Sequence, residues 1–244
     1  MTGVFRLPVL QRSFHWSPAT ESAPYWWRPC ADAVWPVETV DQVAVEAEQV
    51  RVFAGRVVRP AGVHFIELLT NHGHTCRYRL RCHLKDRFKA ARNRLWLTTP
   101  YFLPDAGTQR DLCRAASDGV DVRVLVPGKN DVPFVQWASR ATYSRLLAAG
   151  IRIFEYQPRV LHAKTLIVDD DWSTVGSANL DYRSLFINYE LTLAADCQSL
   201  NTALATIFEI DLNESIEVQR EPWLRRPLSA RMAEFIGWSA RHWL

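Results

Sequence analysis

An α/β fold built on a mixed β-sheet flanked by helices is what this chain of 244 residues predicts. Three observations predict it. From about residue 78 onward, short apolar segments alternate with segments of helical period. The helical segments end at glycines, Gly119 and Gly150 among them. Residues 161–168 alternate strictly, with Leu161, Ala163, Thr165 and Ile167 on one side and His162, Lys164, Leu166 and Val168 on the other, which is the period of a strand.

The elements follow in order. Leu80, Leu84, Phe88 and Ala91 recur at helical spacing, and Leu95 to Thr99 reads as a strand. Residues 107–118 form a helix stopped by Gly119, and Val122 to Val126 a short buried strand closed by Pro127-Gly128. Phe134 to Ala149 is a helix ended by Gly150, with a strand from Ile151 to Tyr156 after it. The motif strand, Ser173–Val175 and Tyr189 to Ala195 complete the sheet; helices over roughly 199–211 and 228–240 end the chain.

Residues 1–77 differ. Pro8, Pro18, Pro24, Pro29, Pro36 and Pro60 interrupt them, and Trp16, Trp26, Trp27 and Trp35 crowd them. Val50–Val58 is the one candidate strand there. The domain division is therefore an irregular Trp/Pro-rich segment, 1–77, and an ordered domain, 78–244, with its motif in about 157–190. Lipid-interface Trp, buried Trp, a disordered leader and a truncated or mistranslated start remain open for the first segment.

Hydrophobic content of 48% and charged content of 23% suit a globular protein, and no apolar run is long enough for a membrane helix. The first residues lack a signal-peptide layout. Five cysteines, Cys30, Cys76, Cys82, Cys113 and Cys197, show neither metal-ligand nor disulfide-framework spacing. Reduced thiols in a cytoplasmic setting are the simplest reading. A net charge of +3 favours an anionic partner, weakly. The basic cluster Arg77, Arg79, Arg81, Lys85, Arg87, Lys89, Arg92 and Arg94 could meet anionic lipid or a nucleic-acid backbone, but a solvated helix face is the first reading.

The chemistry lies in His162-Ala-Lys164 with Asp169, a His-x-Lys-x4-Asp spacing, and in Gly176-Ser-Ala-Asn-Leu-Asp-Tyr-Arg-Ser-Leu-Phe-Ile-Asn-Tyr-Glu190 behind it. A strand puts His162 and Lys164 on one face. A neutral imidazole can attack phosphorus, and an ammonium can hold phosphoryl oxygens where transition-state charge collects. Lys164 is the only lysine after Lys129 in an Arg-rich chain, which suggests that a point charge is wanted there. Ser177 and Asn179, two apart, can donate to phosphate oxygens, and Glu190 can orient the His162 ring. His83-Leu-Lys85 has the same local spacing, but position 90 is Ala, so it reads as solvated helix surface.

These residues resemble the signature of the phospholipase D superfamily, and the stretch resembles bacterial cardiolipin synthases. Thr99-Pro-Tyr-Phe-Leu-Pro-Asp105, Gly119-Val-Asp-Val-Arg123, Pro127-Gly-Lys-Asn-Asp131 and Gly150-Ile-Arg-Ile carry the likeness further, over about residues 84–244. The Tyr101-Phe102 pair reads equally as core packing and as pocket wall.

The resemblance implies a phospholipase D-like half-domain and a phosphatidyltransferase of membrane phospholipid biosynthesis that exchanges phosphodiesters of phosphatidylglycerol through a phosphohistidine. His162, Lys164, Asp169 and Glu190 are its candidate catalytic residues, with Asp169 more structural than chemical. Lys164, Ser177 and Asn179 are its candidate phosphate binders, and the resemblance calls for no metal and no cofactor. It also implies a second imidazole. This chain carries one motif, so a homodimer or a second motif-bearing half is expected. The expected partner is anionic phospholipid at a membrane surface, with nucleic acid less favoured. The expected place is the cytoplasm, peripheral to the inner membrane. A hydrolase or nuclease of the same family, and an inactive half acting as an interaction module, are the alternatives.

Overall fold

The computed structural model describes residues 44–46, 49–51, 65–70 and 79–240. The chain divides into two compact units, Met1–Phe65 and Ile66–Leu244. In the first, strands β1 (Ala44–Glu46) and β2 (Gln49–Arg51) pair antiparallel. Most of the 1–77 reading, including residues 52–58 of the candidate strand, lies outside the described residues.

The second unit is an eight-stranded mixed sheet among the described residues, flanked by helices as expected. Its strands are β3 (Phe65–Thr70), β4 (Arg94–Thr98), β5 (Asp121–Pro127), β6 (Arg152–Tyr156), β7 (Thr165–Val168), β8 (Trp172–Gly176), β9 (Leu191–Asp196) and β10 (Ser215–Glu217). Their order is β10-β6-β5-β4-β7-β8-β9-β3. Strands β4, β5 and β6 are parallel; β7, β8 and β9 continue antiparallel from β4, and β10 closes on β6. β3 lies in this sheet, so the ordered unit begins one strand before the expected boundary at residues 77 and 78.

The helices are α1 (Arg79–Ala90), α2 (Ala106–Ser117), α3 (Pro133–Ala148), α4 (Tyr182–Phe186), α5 (Gln198–Asn213), α6 (Arg220–Leu224) and α7 (Leu228–Ser239). Asp105 caps α2 by accepting from the amides of Gly107 and Thr108 at 2.7 and 2.9 Å, and it also accepts from Arg81 Nε at 2.9 Å. Gly119 and Gly150 end α2 and α3 with φ of 92° and 89°, values a side chain disfavours.

Both sheet faces are buried, which is why the strands read as nearly continuous apolar runs. Leu95, Leu97, Val124, Leu166 and Val168 pack on α1, α2 and α3. Trp96, Leu125, Phe154 and Ile167 pack against Phe208 and Ala205 of α5. Each such side chain contributes roughly 1.5–3 kcal/mol on burial. β3, β10, α4 and α6 were not expected. They are short and stand through tertiary contacts rather than through local period.

Four of the eight residues of the basic cluster are paired within the molecule. Arg81 meets Asp105, Lys85 meets Asp111 at 3.9 Å, and Arg87 meets Asp196 at 3.5 Å while lying over the Trp172 ring. Arg94 bonds Asn201 and Asp170. Arg77 and the Arg79 side chain lie outside the described residues. His83 is not a freely solvated residue. Its ring stacks on Trp172 at 5.8 Å and its Nδ1 lies 3.8 Å from Glu67. Cys82, Cys113 and Cys197 form no disulfide among the described residues.

Candidate functional site

The C-terminal ends of β4, β5 and β6 share one edge of the fold with the start of β7, the end of β8 and the start of β9. Every candidate residue except Asp169 lies at this edge or in the loops leaving it. Open α/β sheets commonly place ligands beyond the carboxyl ends of their parallel strands.

The expected strand over 161–168 is shorter in fact, beginning at Thr165. The reason lies in its neighbour. Thr165 pairs with Thr98, the last residue of β4; the chain then turns, with the Thr99 amide donating to Leu125, and Pro100 has no amide to offer. Residues 161–164 are left outside the strand and off the β4 ladder, held at Lys164 by the Gly176 amide donating to Lys164 O at 3.2 Å. Leu161 is buried against the α5 side of the sheet, which anchors this stretch. His162 is exposed and its ring has no hydrogen-bond partner among the described residues.

Lys164 is half-buried, and its ammonium donates to His162 O at 2.8 Å. Burial pulls its pKa below the ordinary lysine value, against the opposing pull of Glu190, Asp181 and Asp131. Lys164 and Asn179 line a cavity of about 40 Å³ that runs down between α1 and the sheet past Leu84, Leu166, Thr174 and Thr192. Asn179 Oδ1 and Thr192 Oγ1 have no partner there among the described residues, so two acceptors stand ready for a hydroxyl or a water.

Ser177 donates its hydroxyl to Glu190 Oε2 at 2.5 Å and accepts the Leu191 amide at 3.0 Å. Asn188 Nδ2 lies 3.5 Å from the other Glu190 oxygen. The expected bond from His162 to Glu190 is not formed; Glu190 holds Ser177 instead. The close approach of β8 to β9 that allows this needs Gly176, because an added Cβ would lie 2.5 Å from Leu191 O and 2.6 Å from Thr192 Cα. Gly176→Ala is expected to destabilise the fold by about 1–3 kcal/mol, read as a lower thermal midpoint.

Asp169 is the candidate that the fold carries away from the others. It follows the far end of β7, roughly 20 Å from His162 at strand rise. Its carboxylate accepts the backbone amides of Arg92, Asn93 and Arg94 at 3.1, 2.7 and 3.2 Å, and its own backbone sits at φ 51°. It clasps the loop between α1 and β4.

Two acids at this edge, Asp181 and Asp131, were given no role in the sequence. Asp181 is buried, with its carboxyl pushed up by burial against hydrogen bonds from Ser184 and Asn179. Its cap of α4, a bond from the Ser184 amide at 2.6 Å, was legible as an Asp at a helix start. Tyr101 donates to both oxygens of Asp131 at 3.1 Å, with its hydroxyl pKa raised by burial and then by Asp131. The Tyr101-Phe102 pair thus divides: Phe102 is core, fully buried beside Leu180, and Tyr101 is rim.

A sequence model of the family described as cardiolipin synthase, PLD-like domain, matches residues 84–212. Cardiolipin synthase A of Escherichia fergusonii and cardiolipin synthase A of Escherichia coli are each 43% identical to this chain over 145 residues. The match covers 59% of this chain and 30% of the length of those relatives. Phosphatidylserine synthase of Haemophilus influenzae superposes with a TM-score of 0.60 at 14% identity, over 79% of this chain and 51% of its own. The phospholipase D family member Nuc of Salmonella typhimurium gives 0.56 at 15% identity, over 64% of this chain and 99% of its own. Those two likenesses speak for the fold alone. The family match takes in more than half of the residues and contains His162, Lys164, Ser177, Asn179 and Glu190, so the chain belongs to the cardiolipin synthase, PLD-like domain family.

Proposed function

We propose that this domain is a phosphatidyltransferase of cardiolipin synthase type that works on phosphatidylglycerol through a phosphohistidine. The observation that carries the reading is the half-buried Lys164 ammonium, bonded to the His162 carbonyl and sharing a cavity with Asn179. The sequence identity to cardiolipin synthase A supports the substrate class.

In the first step a His162 ring nitrogen attacks phosphorus, an N–P bond forms, and the P–O bond to the departing glycerol breaks. The departing oxygen takes a proton from a second, protonated imidazole. In the second step that imidazole accepts the proton of an incoming lipid alcohol, whose oxygen attacks phosphorus and breaks the N–P bond. Lys164 holds the non-bridging oxygens throughout, and Asn179 and Ser177 complete their hydrogen bonding. Glu190 acts through Ser177 and moves to His162 only when the ring is drawn in by substrate.

The second imidazole comes from a second motif-bearing domain, either another copy of this chain or another half. The surface around the site suits such a mate. Ile187, Tyr189 and Leu191 flank Glu190 with 47%, 78% and 52% exposure, and Val160 stands beside the motif at 51%. Among the described residues no helix is long and apolar enough to cross a membrane. In this reading lipid reaches the site by peripheral contact.

The test is solution mass together with phosphatidylglycerol turnover on the same fractions. A dimer that makes cardiolipin is expected. A dimer that releases only phosphatidic acid would make the domain a hydrolase, and an inactive monomer would mean that it needs a different mate. The pH profile adds a separate check. With its pKa lowered, Lys164 loses its charge before an ordinary lysine does, so the alkaline fall in turnover comes earlier than for a solvated lysine. Glu190→Gln removes the largest charge that opposes this lowering, and the alkaline limb should move further toward neutrality.

A further inference from the structure

Helix α7 is amphipathic in the inverted sense. Its inner side carries small and charged residues. Gly237 is so close to α3 that a Cβ would meet Ala138 N at 2.6 Å and Trp137 Cβ at 2.8 Å, and Glu234 is buried in an ion pair with Arg226. Its outer side is apolar. Leu228, Met232, Phe235 and Ile236 are 71%, 56%, 68% and 50% exposed, and at 100° per residue they fall on one stripe turned away from α3. Leu224 of α6, just before α7 in the chain, is 56% exposed. Contiguous apolar surface of this kind marks a contact site.

Its fringe is basic. Arg220, Arg225 and Arg231 are exposed, and the one acidic side chain among them, Glu221, meets Arg225 only at 4.0 Å with both groups more than four-fifths exposed. The stripe also has a direction. Gly237 lies against Phe134 and Ala138 near the start of α3, whereas Trp223 donates to Ser144 near its end. α7 therefore runs antiparallel to α3 and finishes where α3 begins, directly after Asp131 and the rim of the candidate site. Phe134, 46% exposed and edge-on to Trp137 at 5.0 Å, carries the apolar surface across that junction. The whole helix lies beyond the family match at residues 84–212.

We infer that the outer face of α7 is a docking surface for an anionic lipid bilayer, lying in the headgroup region with Leu228, Met232, Phe235 and Ile236 inserted and Arg220, Arg225 and Arg231 on phosphates. Apolar insertion flanked by arginine is the chemistry of an interfacial helix. Laid this way, the helix brings its final turn, and with it the site rim, to the level of the lipid phosphates. The inference takes its lipid from the proposed function and adds to it the face that meets the membrane.

The test is vesicle sedimentation with the full chain, using phosphatidylcholine vesicles with and without phosphatidylglycerol. Met232→Gln with Phe235→Gln, and Arg225→Glu with Arg231→Glu, are compared with the wild type; all four positions are exposed, and equal thermal midpoints check the fold. Wild type is expected to pellet with the phosphatidylglycerol vesicles. The apolar pair should weaken this by about tenfold or more, and the charge reversal should abolish the preference for the anionic lipid. Turnover of dispersed short-chain phosphatidylglycerol should not change in either variant. Pelleting of both variants like wild type would overturn the inference. So would a fall from dimer to monomer without lipid and with vesicle binding unchanged, since the face would then seat a second copy. Vesicle binding that follows the variants in a dimeric chain with no lipid turnover would leave the docking surface standing and the proposed function overturned.

Discussion

Replacing His162 by Ala is expected to lower phosphatidylglycerol turnover by roughly 10⁴-fold or more, the scale on which nucleophile deletions act. The fold should be untouched. His162 is exposed, its ring bonds nothing among the described residues, and the chain at that point is anchored by Leu161 and by the Gly176 amide on Lys164. Far-ultraviolet circular dichroism and the thermal midpoint should therefore match wild type. A variant that keeps turnover would remove His162 from the chemistry. In a homodimer one further result follows: mixing His162→Ala with wild type gives hybrids that hold one imidazole per site, and activity should fall faster than the wild-type fraction. Proportional loss would mean that each copy works alone.

Asp169 should show the opposite profile, a large effect on stability with little on chemistry. Asp169→Ala removes the acceptor of three amides and puts a Cβ-bearing residue without a compensating side-chain bond at φ 51°. Leaving those amides without their acceptor costs about 2–4 kcal/mol, and the left-handed backbone costs a further ~1 kcal/mol. Asp169→Gly escapes the second cost and should fall between wild type and Ala. Asp169→Asn keeps an oxygen where Oδ1 now receives all three amides, and it tolerates the backbone, so a loss of about 1 kcal/mol is expected. Denaturant midpoints should thus rank Asp, Asn, Gly, Ala. Turnover per folded molecule should stay near wild type in all three, because the carboxylate lies beyond the far end of β7. A specific loss of turnover in well-folded Asp169→Asn would put Asp169 back in the reaction.

The two cases mark what a motif conveys. His-x-Lys-x4-Asp reads as one unit in the sequence, yet the spacing of its last member crosses the four residues of β7 and separates a site residue from a loop clasp. The same holds at the other end of the motif. The alternation over 161–168 is real, but pairing stops at Thr165, because a strand exists only where its neighbour offers groups to bond and β4 ends at Thr98. Glu190 was legible as a partner for a hydrogen-bonding group; that the group is Ser177 depends on how β8 and β9 meet at Gly176.

The sequence by itself determined the α/β class, the order of strands and helices from α1 to α5 apart from the short α4, the glycine stops, and the residues able to do phosphoryl chemistry. All of these rest on short-range periodicity and on side-chain type, which act within a turn or two of chain. Tertiary structure decided what depends on distant partners. Arg87 is tied to Asp196 across 109 positions, and Asp169 reaches the amides of residues 92–94. Lys164 owes its lowered pKa to burial at the sheet edge. α7 shows its meaning only when Gly237 and Glu234 are seen against α3, since which side of a helix faces inward is settled by the neighbour it packs on.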